Sequence, residues 1–227
     1  MRRLLLAVLA AALIAAPAAA HQAPAPTKQP TAVGVGGGAA TVDPQATHAA
    51  IDILRRGGNA VDAAVATAAA LGVTEPYSAG IGGGGFFVFY DARTGTIRTL
   101  DGRETAPRTF NERTFTDRNG NALDFNTVVS SGLSVGVPGT PAVWEQALSR
   151  WGTESLSQVL RPAERVARRG FVVDQTYRQQ TIDNRDRFRK FPETARVYLP
   201  GGDAPAVADR GRPVDLGGLC GCQWSEQ

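Results

Sequence analysis

Residues 80–85 are five glycines and one isoleucine, and they lead directly into the apolar segment 86–90. Because glycine has no Cβ, such a run is typical of a place where two backbones cross closely. The apolar segment predicts a buried strand, and residues 91–95 and 96–100 predict a turn and a second strand. The glycine run therefore predicts a tight crossing at the start of a buried hairpin.

The same glycine run fits the dinucleotide-binding pattern G-x-G-x-x-G. That pattern binds a pyrophosphate only where a strand precedes it and a helix follows, so that the phosphate meets the helix N-terminus. Here a helix is predicted before the run and a strand after it, and no Lys-Ser or Lys-Thr pair follows. The order argues against a nucleotide site.

Two helices are predicted before the glycine run. Asp43 and Pro44 provide an N-cap and a first-turn proline for a helix over 44–56, and two glycines at 57–58 end it. Asn59 caps a second helix that runs to about residue 71. Its nearly continuous alanine and valine content is typical of a buried helix.

The rest of the chain adds predicted helices that start near residue 141 and cover 155–169 and 174–189. A short strand is predicted at the start of segment 31–41. A helix pair, a hairpin and further helices indicate an α+β or layered α/β fold. A chain of 227 residues has room for one large domain or two small ones.

The N-terminus has the layout of a secretory signal peptide. Arg2 and Arg3 precede an apolar run over 4–16, which is too short to span a bilayer, and small residues precede a cut after Ala20. We therefore expect a signal peptide over 1–20, a disordered leader over 21–33, and a periplasmic or secreted protein without a membrane anchor once the signal is removed.

The charge and the cysteines exclude several kinds of partner. The formal net charge is only +3, and two of the arginines lie in the expected signal peptide, which argues against binding nucleic acid or an anionic membrane. The two cysteines, Cys220 and Cys222, stand too close for an unstrained disulfide and lack further zinc ligands nearby. We expect no metal and treat both cysteines as incidental thiols.

Two candidate nucleophile or ligand residues are set aside. Ser134 lies in a G-x-S-x-G pattern, but no helix follows it at once and both histidines, His21 and His48, lie upstream. His48 has no ligand-type residue three or four positions along its predicted helix. We interpret Ser134 as part of a strand and turn, and His48 as a packed or surface residue.

Arg103 is the candidate binding residue. It lies in the polar loop 101–107 at the end of the second predicted strand, with acidic residues at 101 and 104. Its planar guanidinium is suited to a bidentate contact with a carboxylate. The residues alone allow a second interpretation, a surface ion pair with Asp101 or Glu104.

A series of motifs, in order along the chain, closely resembles the γ-glutamyltranspeptidase family, and the resemblance extends over about residues 35–214. The motifs are RRGGNAVDAA at 55–64, EP at 75–76, SAGIGGGGF at 78–86, GRETAP at 102–107, VGVPG at 135–139, PA at 162–163 and GFVV at 170–173.

The resemblance implies an N-terminal-nucleophile hydrolase fold, an αββα sandwich that is incomplete in this chain. It also implies a precursor that cuts itself into a large and a small subunit, and in doing so exposes a threonine nucleophile whose free amine acts as the base. The γ-glutamyl group of glutathione would pass through an acyl-enzyme to water or an amino acid, without a metal or organic cofactor. Arg103 matches the arginine that binds the α-carboxylate of the γ-glutamyl group.

The chain departs from the family pattern after residue 214. We interpret residues 34–214 as the N-terminal part of the large subunit and 215–227 as an aberrant tail. The threonine-led segment and the small subunit, the expected partner, have no match here, so we assign no catalytic residue and expect the chain alone to be inactive. Alternatives are a cephalosporin acylase-like enzyme of the same fold and an inactive secreted ligand-binding fragment.

Overall fold

The computed structural model describes residues 31–207. The expected signal peptide, most of the leader, both cysteines and the tail lie outside this range. The described elements, in chain order, are α1 (Pro44–Arg55), α2 (Ala60–Thr74), α3 (Pro76–Ala79), β1 (Gly85–Asp91), β2 (Thr96–Gly102), α4 (Phe125–Val129), α5 (Thr140–Trp151), α6 (Leu156–Arg169), α7 (Gln175–Phe188) and α8 (Pro192–Tyr198).

Local sequence signals set both ends of the first helix and the start of the second as expected. The Asp43 side chain accepts a hydrogen bond from the Ala46 N–H at 3.0 Å, and Pro44 is the first residue of α1. Gly57 follows the helix with φ of +95°, a left-handed conformation that favours glycine. The Asn59 side chain caps α2, which ends at Thr74, three residues beyond its expected end.

Helix α2 is the centre of the core, as its alanine and valine content predicts. It packs between α1 and α6, and α5 also contacts it. Ile53, Val65 and Val159 are fully buried in this cluster, and Trp144 is 5% exposed. Small side chains on α2 let the neighbouring helices approach closely, so the helical layer is dense around a single central helix.

Asp62 is a fully buried carboxylate that joins α2 to the loop between α5 and α6. It accepts hydrogen bonds from the Thr153 N–H at 2.9 Å, the Thr153 hydroxyl at 2.6 Å, the Glu154 N–H at 3.1 Å and the Asn59 N–H at 2.8 Å. Burial by itself would raise the pKa of Asp62, but these hydrogen bonds outweigh it and lower the pKa below its ordinary value. The carboxylate is thus held in its charged form.

The hairpin forms as expected, but only one of its faces is buried. Strands β1 and β2 pair antiparallel, with Phe87 opposite Leu100. On the inner face, the rings of Phe87 and Phe89 stack on Trp151 at centroid distances of 6.2 and 5.2 Å. The helices cover only this side of the two-stranded sheet.

The outer face of the hairpin corrects the expectation of fully buried strands. Its apolar side chains are between 60% and 69% exposed; they are Phe86, Val88, Tyr90 and Ile97. Side chains alternate between the faces of a strand, and no described element lies on this side to cover them. A flat exposed apolar face of this kind favours aggregation.

We expect Val88→Lys to increase the soluble fraction of the expressed chain. Val88 is 67% exposed and its cross-strand neighbour is Thr99, so a lysine there extends into water and interrupts the apolar face. The free energy of unfolding should change by less than about 0.5 kcal/mol. The soluble fraction after centrifugation measures the effect. Phe89→Lys is the control: it would place a charge against Trp151 and should reduce the soluble fraction, so equal behaviour of the two variants would contradict the assigned faces.

Several smaller elements differ from the expectation. Segment 31–41 contains no strand in the structure. Three helices of four to seven residues, α3, α4 and α8, were not predicted, because so short a segment contains too few turns to show a helical period. The helices predicted near 141, over 155–169 and over 174–189 are confirmed as α5, α6 and α7.

Candidate functional site

Arg103 is the first residue after β2, where the chain leaves the hairpin. Its backbone N–H donates to Asp101 Oδ1 at 3.0 Å, which fixes the direction of the chain at this point. Its Nε lies 3.4 Å from Glu104 Oε2. The structure thus brings Arg103 together with both of the acidic neighbours that the sequence singled out.

The guanidinium of Arg103 remains available to a ligand. Its side chain is 71% exposed, and the Glu104 ion pair engages only the Nε edge. Among residues 31–207, no hydrogen bond to its two terminal nitrogens is found. Two parallel N–H groups on one planar group match the two oxygens of a carboxylate.

The glycine run is the close backbone crossing that the sequence predicts. A Cβ on Gly84 would overlap the Gly102 carbonyl oxygen, and a Cβ on Gly139 would overlap the same carbonyl group. The N–H groups of Gly139 and Thr140 both donate to the Gly83 carbonyl, at 3.1 and 3.2 Å. Three glycine-containing segments therefore meet at Gly102, the residue that precedes Arg103. A helix precedes the glycine run and a strand follows it, which is the order expected from the sequence and the reverse of a dinucleotide-binding motif.

The segment after Arg103 is tied to the VGVPG motif. Thr105 and Val137 form an isolated antiparallel bridge, in which the Val137 N–H donates to the Thr105 carbonyl at 2.9 Å. A Cβ on Gly136 would lie 3.1 Å from the Cβ of Glu104. Because glycine has no side chain, this position makes room for Glu104. Motifs far apart in sequence thus hold the Arg103–Glu104 pair in one place.

A cavity of about 670 Å³ opens beside the pair. Arg103, Glu104 and the glycine run contribute to its lining, together with apolar and aromatic side chains from α2, α3, β1 and α5. These side chains include Leu71, Tyr77, Phe87, Val143 and Trp144. The size is that of a pocket for a small organic molecule.

Tyr77 contributes its ring to the cavity, while its hydroxyl is already engaged. That hydroxyl lies 2.7 Å from Thr181 Oγ1, and the Thr181 hydroxyl donates its single proton to the Tyr177 carbonyl at 2.7 Å. Tyr77 is therefore the donor in the bond to Thr181. Burial raises the pKa of Tyr77 to about 12, so its hydroxyl stays neutral near pH 7.

The other sequence candidates lie away from this cavity. His48 is exposed on α1, which confirms it as a surface residue. Ser134 is exposed in a 3-10 helix over Gly132–Ser134, which corrects the expected strand, and its hydroxyl donates to the Ser131 carbonyl at 2.9 Å. The sequence analysis missed Tyr77 and Trp144, because only the packing of distant helices brings them to Arg103 and no local motif marks them.

Within the described range, no group of three or more histidine, cysteine or acidic side chains is arranged to hold a metal ion. None of the helices in that range has both the length and the apolar character needed to cross a bilayer.

Comparisons with known proteins agree with the motifs. The sequence profile described as Gamma-glutamyltranspeptidase matches residues 46–217. The Glutathione hydrolase proenzyme of Bacillus subtilis (strain 168) is 43% identical over 173 residues, which cover 75% of this chain and 29% of that protein. The Acylase ACY 1 proenzyme of Pseudomonas sp. (strain SE83) is 38% identical over 175 residues, covering 71% of this chain and 30% of that protein.

The solved structures give the fold. The structure is similar to the crystal structure of Helicobacter pylori gamma-glutamyltranspeptidase, with a TM-score of 0.76 and 34% identity over 82% of this chain and 53% of that chain. This likeness confirms the expected fold class, with one helical layer and one hairpin of it present in residues 31–207. The chain spans less than a third of the length of the curated relatives that it matches.

Proposed function

Because the chain belongs to the gamma-glutamyltranspeptidase family, we propose that it forms the N-terminal part of the large subunit of a glutathione hydrolase. The enzyme transfers the γ-glutamyl group of glutathione, or of a related γ-glutamyl compound, to water or to an amino acid. The expected signal peptide supports a periplasmic or secreted location for it.

The observation that carries the proposal is the position of Arg103. The Arg103 side chain is 71% exposed and lines a cavity. Its backbone N–H donates to Asp101, and Glu104 forms an ion pair with the Nε edge of its guanidinium. A charge-assisted pair of hydrogen bonds from the other edge would hold the α-carboxylate of the substrate. Binding at this fixed point orients the γ-glutamyl group for acyl transfer.

We assign the acyl-transfer step to none of the described residues. The family resemblance assigns it to a threonine at the start of the small subunit, whose hydroxyl attacks the γ-glutamyl carbonyl while its α-amine takes the proton. We propose that the small subunit of the same precursor is the partner of this chain. The role left to the described residues is binding and orientation of the substrate.

A chimaera tests the proposal. The matched segment of this chain would replace the corresponding 173 residues of the Bacillus subtilis relative. We expect the chimaera to cleave itself into two subunits and to release the aniline from a γ-glutamyl anilide, measured by absorbance. The 227-residue chain alone should release none. A chimaera that is folded and processed but has no activity would contradict the proposal, as would hydrolysis by the chain alone.

An acylase of the same fold is the second candidate, and the 38% identity to the Acylase ACY 1 proenzyme favours it. Such an enzyme would hydrolyse the side-chain amide of a cephalosporin. Competition in the chimaera separates the two: glutamate, but not a cephalosporin, should inhibit anilide release if the Arg103 cavity is built for a γ-glutamyl group.

A further inference from the structure

An asparagine followed by glycine lies in a tight turn of the loop between β2 and α4. The chain contains six asparagines, and Asn119 is the one that glycine follows. Both Asn119 and Gly120 are exposed, and Gly120 has φ of +85°, a left-handed conformation that glycine adopts readily. Among residues 31–207, the side-chain amide of Asn119 has no hydrogen-bond partner. The carbon of this amide is therefore open to attack by a nearby nucleophile.

Asp117 holds the turn closed. Its Oδ1 accepts hydrogen bonds from the N–H groups of Asn119 and Asn121, at 2.8 and 2.9 Å. Its carbonyl accepts from the Gly120 N–H at 3.1 Å. Hydrogen bonds from the backbone and side chain of Asn121 lower the pKa of Asp117, so the carboxylate stays charged near neutral pH. While the turn is closed, the Gly120 nitrogen is engaged in a hydrogen bond.

We propose that Asn119 is a deamidation site, and that Asp117 sets its rate by holding the turn closed. When the turn opens, the Gly120 nitrogen gives its proton to hydroxide and attacks Asn119 Cγ. The new C–N bond closes a succinimide ring, the Cγ–Nδ2 bond breaks, and ammonia leaves. Water then opens the ring at either carbonyl and produces aspartate or isoaspartate at position 119, so the reaction consumes water alone.

The glycine after Asn119 makes ring closure easier there than at Asn121 in the same turn. Closure requires the next backbone nitrogen to approach the side chain, and a Cβ on that next residue obstructs the approach. Asn121 is followed by Ala122, and its side-chain amide donates to Asp117 Oδ2 at 3.2 Å. We therefore expect Asn119 to react at least about tenfold faster than Asn121.

Either product changes the turn. Aspartate at position 119 adds a negative charge two residues from Asp117. Isoaspartate adds the same charge and also lengthens the backbone by one carbon, which shifts the N–H groups that Asp117 Oδ1 accepts. None of residues 117–121 lines the Arg103 cavity, so the inference does not depend on the proposed function.

Mass spectrometry of the soluble 227-residue chain, incubated for several days at mildly alkaline pH and then digested, tests the site. Deamidation adds about 1 Da, and fragment ions assign the gain to position 119 or 121. Endoproteinase Asp-N, which cuts before aspartate but not before isoaspartate, distinguishes the two products. The gain at Asn119 should be at least about tenfold faster than at Asn121. Asn119→Gln should show no gain at that position, because a glutamine side chain would have to close a larger ring.

Two aspartate variants test the control by the turn. Asp117→Ala removes the acceptor and should speed deamidation of Asn119 by about tenfold. Asp124→Ala is the matched control, because Asp124 is exposed in the same loop but accepts from the Thr127 N–H at 2.9 Å, outside the turn. It should leave the rate within about twofold of the wild-type chain.

Each result supports or overturns one part of the inference. No gain at Asn119 in the wild-type chain, or equal gains at Asn119 and Asn121, would overturn the deamidation site. Equal rates in Asp117→Ala and Asp124→Ala would overturn the control assigned to Asp117. The activity of the chimaera has no part in these outcomes, so the proposed function is tested separately.

Discussion

Asp62→Asn is expected to lower the free energy of unfolding by about 3 kcal/mol. The buried carboxylate accepts from three backbone N–H groups and one hydroxyl, and both of its oxygens are engaged. An asparagine replaces one oxygen with an NH₂ group, which faces a donor instead of accepting from it. In a domain of this size the loss corresponds to a fall in the unfolding temperature of about 6–12 °C. Urea unfolding followed by circular dichroism, at low protein concentration, measures it.

The effect of Asp62→Asn on the free energy of unfolding should also depend on pH. Because the folded-state pKa of Asp62 is lowered, its contribution is complete above the unfolded pKa of about 3.9 and is lost as the pH falls through the folded value. The difference between the wild-type chain and Asp62→Asn should be constant near neutral pH and shrink below about pH 4. Asp52→Asn is the control: its exposed ion pair with Arg165 should be worth less than about 1 kcal/mol. Equal losses in the free energy of unfolding in the two variants would contradict the stabilising role assigned to the Asp62 hydrogen bonds.

Asp62 also shows which contacts can be predicted from the sequence and which cannot. The cap at Asn59 is a local signal, and the sequence predicts it correctly together with the start of α2. The partner that makes Asp62 important, Thr153, is 91 positions away. An aspartate in the first helical turn is ordinary in sequence, so only the packing of the α5–α6 loop against α2 shows that its carboxylate is buried.

The glycine run likewise allows one feature to be predicted from the sequence but not another. A run without side chains predicts a close crossing, and the structure has one at Gly84, Gly102 and Gly139. The run does not say which segments cross there. The apolar residues 86–90 likewise predict a strand, but alternation puts Phe86 and Val88 on a face that no described element covers. Period and composition identify the strand, whereas burial depends on what packs against it.

Arg103 shows how a family resemblance adds to chemistry. The residues alone favour a surface ion pair over a ligand contact, and the structure contains both features. Nε pairs with Glu104, while the two terminal nitrogens lie at the edge of a cavity without a hydrogen-bond partner among residues 31–207. The cavity wall could not be predicted, because Leu71, Tyr77 and Trp144 come from three helices. Their meeting beside Arg103 is a property of the tertiary structure.

Arg103→Lys, made in the chimaera with the Bacillus subtilis relative, is expected to raise KM for a γ-glutamyl anilide about 10- to 100-fold. A lysine keeps the charge but removes the planar pair of N–H groups, and one charge-assisted hydrogen bond is worth about 1.5–3 kcal/mol, at about 1.4 kcal/mol per tenfold change. In the proposed binding mode Arg103 makes the same contact with the α-carboxylate in the ground state and in the transition state, so kcat should change much less than KM. Initial rates over a range of substrate concentrations give both constants.

Arg98→Lys is the matched control for this variant. Arg98 is also exposed on β2 but does not line the cavity, so its replacement tests whether loss of an arginine near the hairpin has a general effect. It should leave KM within about twofold, which is less than about 0.5 kcal/mol of binding free energy. An unchanged KM in Arg103→Lys would remove the carboxylate contact from the site. A fall in kcat with KM unchanged would instead place Arg103 in the transition state alone, because uniform binding of the carboxylate cannot produce that pattern.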